Sequence, residues 1–278
     1  MIVERVMSVP GGSVRFRSSA RSDIGLKRAV NEDSLSADAP VFLVADGMGG
    51  HARGDIASRT TVDVFREHIA DDAPSTPERV LDAVHSSNDA VRDLSDEGDV
   101  GEMIAGTTLA GVAFVDAGAG EGCRWMVFNV GDSRVYSWQD GVLAQVSIDH
   151  SAVQELVNAG LIDAERAETH PDRNVITRAI GTDEYVDTDV WLLPADGVRS
   201  FLICSDGLTK ELDDRAISEI LAGCDAARDE SGTLDSDSPA DLLVAAALDR
   251  GGRDNISVVV VESLFTPDGT SAGQSPLA

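Results

Sequence analysis

Two apolar runs in this chain stop abruptly on the dipeptide Asp-Gly. Val41-Phe42-Leu43-Val44-Ala45 leads into Asp46-Gly47, and Phe201-Leu202-Ile203-Cys204-Ser205 leads into Asp206-Gly207. Asp-Gly is ordinarily turn chemistry, and the further copies at 140, 196 and 268 read that way. The first two differ because each puts a carboxylate at the end of a buried strand, where an anion loses hydration unless a cation stands by. The glycine lets the backbone turn tightly and bares its carbonyl as a further hard oxygen donor. A third strand, Trp125-Met126-Val127-Phe128-Asn129-Val130-Gly131, delivers Asp132, and Asp254 stands just before the run Ile256–Val261. Near the N-terminus Arg28 precedes Asn31-Glu32-Asp33. With no His or Cys cluster beside them, these acids form an all-oxygen set suited to Mg²⁺ or Mn²⁺ rather than zinc or copper. The competing reading is that so acidic a chain places carboxylates on solvated faces everywhere.

The elements that must position these groups are short and β-rich: Val41–Ala45, Thr107–Val115, Trp125–Val130, Val135–Trp138, Phe201–Cys204 and Ile256–Val261, bounded by Gly, Asp and Asn. Asp140-Gly141, between Val135–Trp138 and Val142–Val146, predicts a hairpin. Helices are expected over Ile56–Ile69 (Val62, Phe65 and Ile69 inward), from Pro77 (Val80, Leu81, Val84, Val91 and Leu94 on one side) and over Pro239–Leu248 (Leu242, Leu243 and Ala246 inward). Ser151–Thr169 predicts a weakly apolar surface helix, and the acidic stretch Cys224–Ser238 a flexible loop. Residues 1–20 read as a lead-in, 21–264 as one domain and 265–278 as a disordered tail. Strands and helices cluster without strict alternation, which favours α+β over a doubly wound parallel sheet.

The chain has 278 residues and a net charge of −27, which repels phosphate backbones and anionic lipid, so neither nucleic acid nor membrane is an expected partner. Lysine occurs only at 27 and 210. Neither follows a glycine, which excludes the phosphate-cradling GxxxxGK[ST] loop, and neither stands three residues after a serine, which excludes S-x-x-K acyl transfer. Cys123, Cys204 and Cys224 are odd in number and far apart, so neither a disulfide framework nor a zinc site is indicated and a reducing interior fits. With no apolar leader and no apolar run of about 18 residues, a soluble cytoplasmic protein is expected.

The series Gly25-Leu26-Lys27-Arg28…Asn31-Glu32-Asp33, Val44-Ala45-Asp46-Gly47-Met48-Gly49-Gly50, Gly106-Thr107-Thr108, Asn129-Val130-Gly131-Asp132-Ser133-Arg134, Asp149-His150-Ser151, Cys204-Ser205-Asp206-Gly207-Leu208 and Gly252-Arg253-Asp254-Asn255 resembles the metal-dependent serine/threonine protein phosphatases of the PP2C (PPM) family, bacterial branch. The resemblance implies a four-layer αββα sandwich of two antiparallel sheets flanked by helices, with two Mn²⁺ or Mg²⁺ ions in a cleft at one end. It implies that Asp46 bridges the two ions, that the Gly47 carbonyl joins the second, and that Asp206 and Asp254 hold the first. Glu32 and Asp33 would act mainly on waters of the second, Asp132 with help from Asp206 would form a third, weaker site, and Arg28 would hold the substrate phosphate. Phosphoserine or phosphothreonine would be hydrolysed by direct attack of a water shared by the ions, with no phosphoenzyme. The partners implied are phosphoproteins and an opposing eukaryotic-type kinase, and the implied state is a monomer.

Animal members carry a histidine, proposed as general acid, where this chain has Met48, so the leaving group must be protonated otherwise. His51 is one candidate, weighed against a loop histidine that does no chemistry. The segment Ser151–Gly181 would act as a flap, with His170-Pro171 marking a surface turn. Two other functions compete with the phosphatase: a non-catalytic phosphoprotein-binding scaffold, and a hydrolase of small phosphorylated metabolites.

Overall fold

The computed structural model describes residues 2–49, 53–70, 72–96, 105–118, 120, 122–227 and 238–268. The chain opens with an antiparallel hairpin of β1 (Ile2–Val9) and β2 (Gly12–Asp23). The lead-in expected over residues 1–20 is therefore corrected: this hairpin edges a sheet and puts Met7, Val9, Val14 and Phe16 into the core. The strand pattern is weak there because β1 lies at an edge, where Val3 and Val6 stay exposed, and because small Ser18 and Ser19 are the buried residues late in β2.

That sheet runs β1, β2, β12 (Ile256–Pro267), β11 (Val198–Cys204), β8 (Arg134–Gln139) and β9 (Val142–Gln145), every pair antiparallel. Strand β12 continues to Pro267, so the expected tail begins later than 265; residues 269–278 lie outside the described residues. Asp140 and Gly141 join β8 to β9 with φ of 53° and 75°, the left-handed pair that a two-residue hairpin turn needs.

The second sheet runs β10 (Asp189–Pro194), β7 (Cys123–Val130), β6 (Leu109–Asp116), β4 (Val41–Met48) and β3 (Asp33–Asp38), with the short β5 (Gly106–Thr107) paired to the end of β4. Its central strands are largely apolar because both faces are covered. Along β4, Val41, Leu43 and Ala45 face one hydrophobic layer while Phe42 and Val44 face another. The layer between the sheets centres on Trp125, whose ring lies 5.1–6.2 Å from those of Phe16, Phe42, Phe114 and Phe201.

Helices α1 (Gly54–His68) and α2 (Pro77–Asp96) cover the outer face of the second sheet, and Phe65 stacks on Phe128 at 5.5 Å. On the outer face of the first sheet lie α5 (Asp206–Thr209), α6 (Asp214–Ala226) and α7 (Pro239–Asp249). The four-layer αββα arrangement is thus present, and the class is α+β. Helix α7 turns Ala240, Leu243, Val244 and Ala247 inward, a face offset from the expected one, because a nearly all-apolar helix carries little periodicity. Helix α6 ends at Ala226, so Cys224, placed by sequence in a flexible loop, is a buried helical residue; 228–237 lie outside the described residues. The surface helix expected over Ser151–Thr169 is two helices, α3 (Ala152–Asn158) and α4 (Ala164–Thr169), capped by Ser151 and Asp163. Among the described residues no helix is long and apolar enough to cross a membrane.

Candidate metal centre

The sandwich brings its acidic strand ends to one edge. Asp33 opens β3 directly opposite Asp46 near the end of β4. Thr108 fastens that end: its Oγ1 accepts from the Asp46 N–H at 3.0 Å, and its own N–H donates to the Asp46 carbonyl at 2.9 Å. Thr108 Oγ1 also lies 2.7 Å from Ser133 Oγ, which ties the turn bearing Asp132 to the turn bearing Asp46. Gly47 has to be glycine, because a Cβ there would run into the carbonyls of Gly54 and Glu32. Its N–H donates to the Glu32 carbonyl at 3.1 Å, so the Arg28–Asp33 segment and the start of α1 close on the same point.

Asp206 opens α5 straight after β11. Gly207 lies so close to Asn255 that a Cβ would overlap the Asn255 carbonyl, and this contact seats Asp206 beside Asp254. Ser205 links this side to the other sheet, its Oγ donating to Asp33 Oδ2 at 2.8 Å and accepting from the Ser257 N–H at 2.9 Å. Asn255 holds the segment that carries Arg28. Its Nδ2 donates to the carbonyls of Ile24 and Val30, both at 3.0 Å, and its Oδ1 accepts from the Glu32 N–H at 2.9 Å.

The resulting cleft, about 630 Å³, is walled by Arg28, Glu32, Asp46, Gly47, Asp132, Asp206 and Asp254. All the site residues read from sequence are therefore brought together except Asp33, which sits behind Asp46 as a buried neighbour. Asn174 and Ile176 of the flap segment border the same cleft. His51 lies outside the described residues.

Electrostatics make the cluster unstable on its own. Burial, then repulsion from Asp33, Asp206 and Asp132, pushes the Asp46 carboxyl well above the usual carboxylate range. Asp33 and Asp132 are each pushed up to about 7, first by burial and then by charges that include Asp206. Asp206 is raised by burial against the pull of Lys210. Asp254 goes the other way: burial would raise it, but the Lys210 ammonium and Arg28 guanidinium hold it below the usual range.

Three of these carboxylates carry an oxygen that is buried and accepts no hydrogen bond: Asp33 Oδ1, Asp132 Oδ1 and Asp206 Oδ1. Buried acceptors are seldom left without a partner. Orphaned hard oxygens among mutually repelling carboxyls are the donor set a divalent cation takes, so the residues fit such an ion. Among the described residues, no three His, Cys, Asp or Glu groups are gathered tightly enough to hold a metal as they stand. Cationic side chains stand there instead. Arg28 grips Asp254 through Nε–Oδ1 at 2.7 Å and Nη2–Oδ2 at 2.9 Å, so its fork, expected on a phosphate, is engaged with a carboxylate. Lys210, which sequence reasoning used only to exclude other chemistries, reaches Asp206 Oδ2 at 2.5 Å and Asp254 Oδ2 at 2.9 Å. Its one signal in sequence is the spacing of four from Asp206 across a short helix.

With this geometry in view, the chain matches the family described as protein phosphatase 2C over residues 27–235. It belongs to the protein phosphatase 2C family. The matched span includes the PP2C positions Arg28 through Asp206 and ends before Asp254. Among named PP2C relatives, the serine/threonine protein phosphatase PstP of Mycobacterium tuberculosis (strain H37Rv) is 37% identical over 250 residues, covering 89% of this chain and 45% of PstP. The chain thus spans about half the length of that relative. The serine/threonine phosphatase stp of Listeria monocytogenes (serotype 4b) is 34% identical over 265 residues, covering 91% of this chain and 98% of that one. Among solved structures, the M. tuberculosis PstP/Ppp phosphatase superposes with a TM-score of 0.75 at 36% identity, covering 88% of this chain and 97% of the other. The catalytic domain of PstP in complex with two manganese ions superposes with a TM-score of 0.73 at 33% identity, covering 90% and 99%.

Proposed function

We propose that this chain is a divalent-cation-dependent phosphatase that hydrolyses phosphoserine and phosphothreonine in proteins. The observation that carries the reading is the set of orphaned, buried oxygens on Asp33, Asp132 and Asp206 in a cleft that Arg28 overlooks. The names of the PP2C relatives support it, as does the pair of manganese ions in the PstP neighbour. A scaffold that only bound phosphoproteins would have no use for so costly a concentration of buried charge.

In this reading Asp46 would serve both cations, the Gly47 carbonyl would join the second, Asp206 and Asp254 would hold the first, and Glu32 and Asp33 would act mainly on waters of the second. Asp132, with Asp206, offers a third and weaker site. When bound, the ions lower the pKa of the attacking water and neutralise phosphoryl charge. The chain's own part is positioning. Asp46 is fixed by Thr108, Asp33 by Ser205, and the Arg28 segment by Asn255, so groups from different strands keep their spacing as charge develops. Arg28 is half exposed at the rim, and moving its fork from Asp254 to a phosphate would exchange one bidentate anion for another. No serine or cysteine need act as nucleophile, because phosphoryl transfer asks mainly for positioning and charge stabilisation. Manganese is the first ion to test, and magnesium the second. We assign the chain a monomeric state, a reducing compartment and an opposing protein kinase as functional counterpart.

The test is hydrolysis of p-nitrophenyl phosphate and of a phosphoserine/phosphothreonine peptide panel with Mn²⁺, and again with EDTA. Turnover that survives EDTA rejects the reading. Turnover confined to small phosphorylated metabolites replaces protein substrates with that class.

A further inference from the structure

We propose that the Lys210 ammonium is a resident counter-ion for Asp206 and Asp254 that competes with the incoming cation and leaves the cleft when that cation binds. The inference rests on the metal-dependent reading above and adds a regulator of its metal affinity. Lys210 follows the four-residue helix α5, its N–H donating to the Asp206 carbonyl at 2.8 Å, so backbone and side chain are anchored to the residue it neutralises. Its Nζ touches Oδ2 of Asp206 and Oδ2 of Asp254, which belong to different elements, and in doing so it acts as a single cation shared by two carboxylates. A divalent ion would need those oxygens at about 2.0–2.6 Å. An ammonium hydrogen-bonded to both atoms occupies the same volume, so the two cations exclude each other.

The geometry also gives the lysine a way out. Its side chain is 36% exposed while that of Asp254 is 15% exposed, so the head can turn toward solvent while the carboxylates stay. A compact charge on a flexible four-carbon stem suits this, where a planar guanidinium would bind both carboxylates through a rigid fork. Asp206 Oδ1 accepts no hydrogen bond, so the lysine neutralises the pair while satisfying only part of its acceptor capacity. Among the described residues, Arg28 shares Asp254 Oδ2 with the lysine but makes no hydrogen bond or ion pair with Asp206 Oδ2, so Lys210 is the cation common to both carboxylates.

The full chain offers an internal control, because its only other lysine is the exposed Lys27. Lysine acetylation, read by mass spectrometry as the Lys210/Lys27 ratio, is measured with EDTA and with saturating Mn²⁺. Calorimetric titration with Mn²⁺ compares the wild type with Lys210→Gln. The expected results are a ratio that rises several-fold with Mn²⁺ and a dissociation constant about tenfold lower in the variant, the scale of one charged hydrogen bond. A ratio unmoved by saturating Mn²⁺, or a variant that binds Mn²⁺ no more tightly than wild type, overturns the role of Lys210 alone. Absence of any Mn²⁺ binding by the wild type overturns the metal-dependent reading as well. The labelling arm uses unaltered protein and stands even if Lys210→Gln fails to fold.

Discussion

Asp33 and Asp46 face each other across the β3–β4 ladder, Asp33 buried and Asp46 half-buried, and only Asp33 receives a side-chain donor from the opposite sheet, Ser205 Oγ at 2.8 Å. Two carboxyls so placed cannot both ionise cheaply. With Asp132 and Asp206 nearby, the metal-free protein therefore holds protons that the unfolded chain would release.

That sets the sign of a pH effect. Folded-state values raised from the usual 3.8 to about 7 at Asp33 and Asp132 mean that the native state binds more protons than the unfolded state in between. Stability then falls as pH rises through that window, from about 4 to about 7, and levels off above it. Melting temperatures in EDTA should decline from mildly acidic to neutral pH, and saturating Mn²⁺ should reduce the decline because cations replace the protons. A metal-free melting temperature that climbs steadily to pH 8 contradicts the raised values.

Asp132→Asn separates metal chemistry from folding. Its Oδ1 has no hydrogen-bond partner, and burial, Asp206 and Asp149 all oppose its charge. Removing that charge should stabilise the metal-free protein by about 1 kcal/mol, or about 2–4 °C in melting temperature for a chain of this size. If Asp132 holds the proposed third ion, the same change should lower Mn²⁺-dependent turnover by about tenfold or more. Differential scanning calorimetry in EDTA and a Mn²⁺-saturated rate assay read the two arms. A variant that is less stable and fully active would show that Asp132 serves structure alone.

The acidic strand ends were legible because the strands leading to them are buried on both faces and so read as unbroken apolar runs that stop on Asp-Gly. Val41–Ala45 and Phe201–Cys204 are of this kind. Where one face meets solvent or a polar seam, the pattern weakens. In β3, Ser34 and Ser36 replace the hydrophobes, with Ser34 Oγ 3.0 Å from Ser58 Oγ, and in the edge strand β10 Val190 and Leu192 are exposed. Helix α6 was missed because its inward face is only Ala216, Ile217, Leu221 and Cys224 within an acidic surround. Among site residues, carboxylates announce themselves by type. Thr108, Ser205 and Asn255 work through hydrogen bonds to backbone, hydroxyl or carboxylate, which spacing cannot display, and Lys210 depends on two oxygens that meet only after folding.

Asn255 gives a second structural prediction. Its three hydrogen bonds to Ile24, Val30 and Glu32 hold the segment bearing Arg28 against the end of the sandwich. Asn255→Ala leaves those backbone groups without their partner and should cost about 2–4 kcal/mol of stability. Hydrogen exchange should speed up over residues 24–33 while the Trp125 core layer stays protected. Uniform loss of protection across both regions would mean that Asn255 supports the whole fold and not this segment.

The net charge of −27 bears on how substrates arrive. The long-range field should slow acidic phosphopeptides and speed basic ones, whereas inside the cleft the proposed cations and Arg28 would present the attractive charge. At low salt, kcat/KM for a phosphopeptide flanked by arginines should exceed that for one flanked by glutamates by about tenfold or more. As ionic strength rises and the Debye length shrinks to about 8 Å near physiological salt, the two should converge, with kcat nearly constant throughout. The measurement is a salt series of kcat/KM for the two peptides at saturating Mn²⁺. A ratio independent of salt would place the discrimination in direct contacts at the rim and remove the global field from the account.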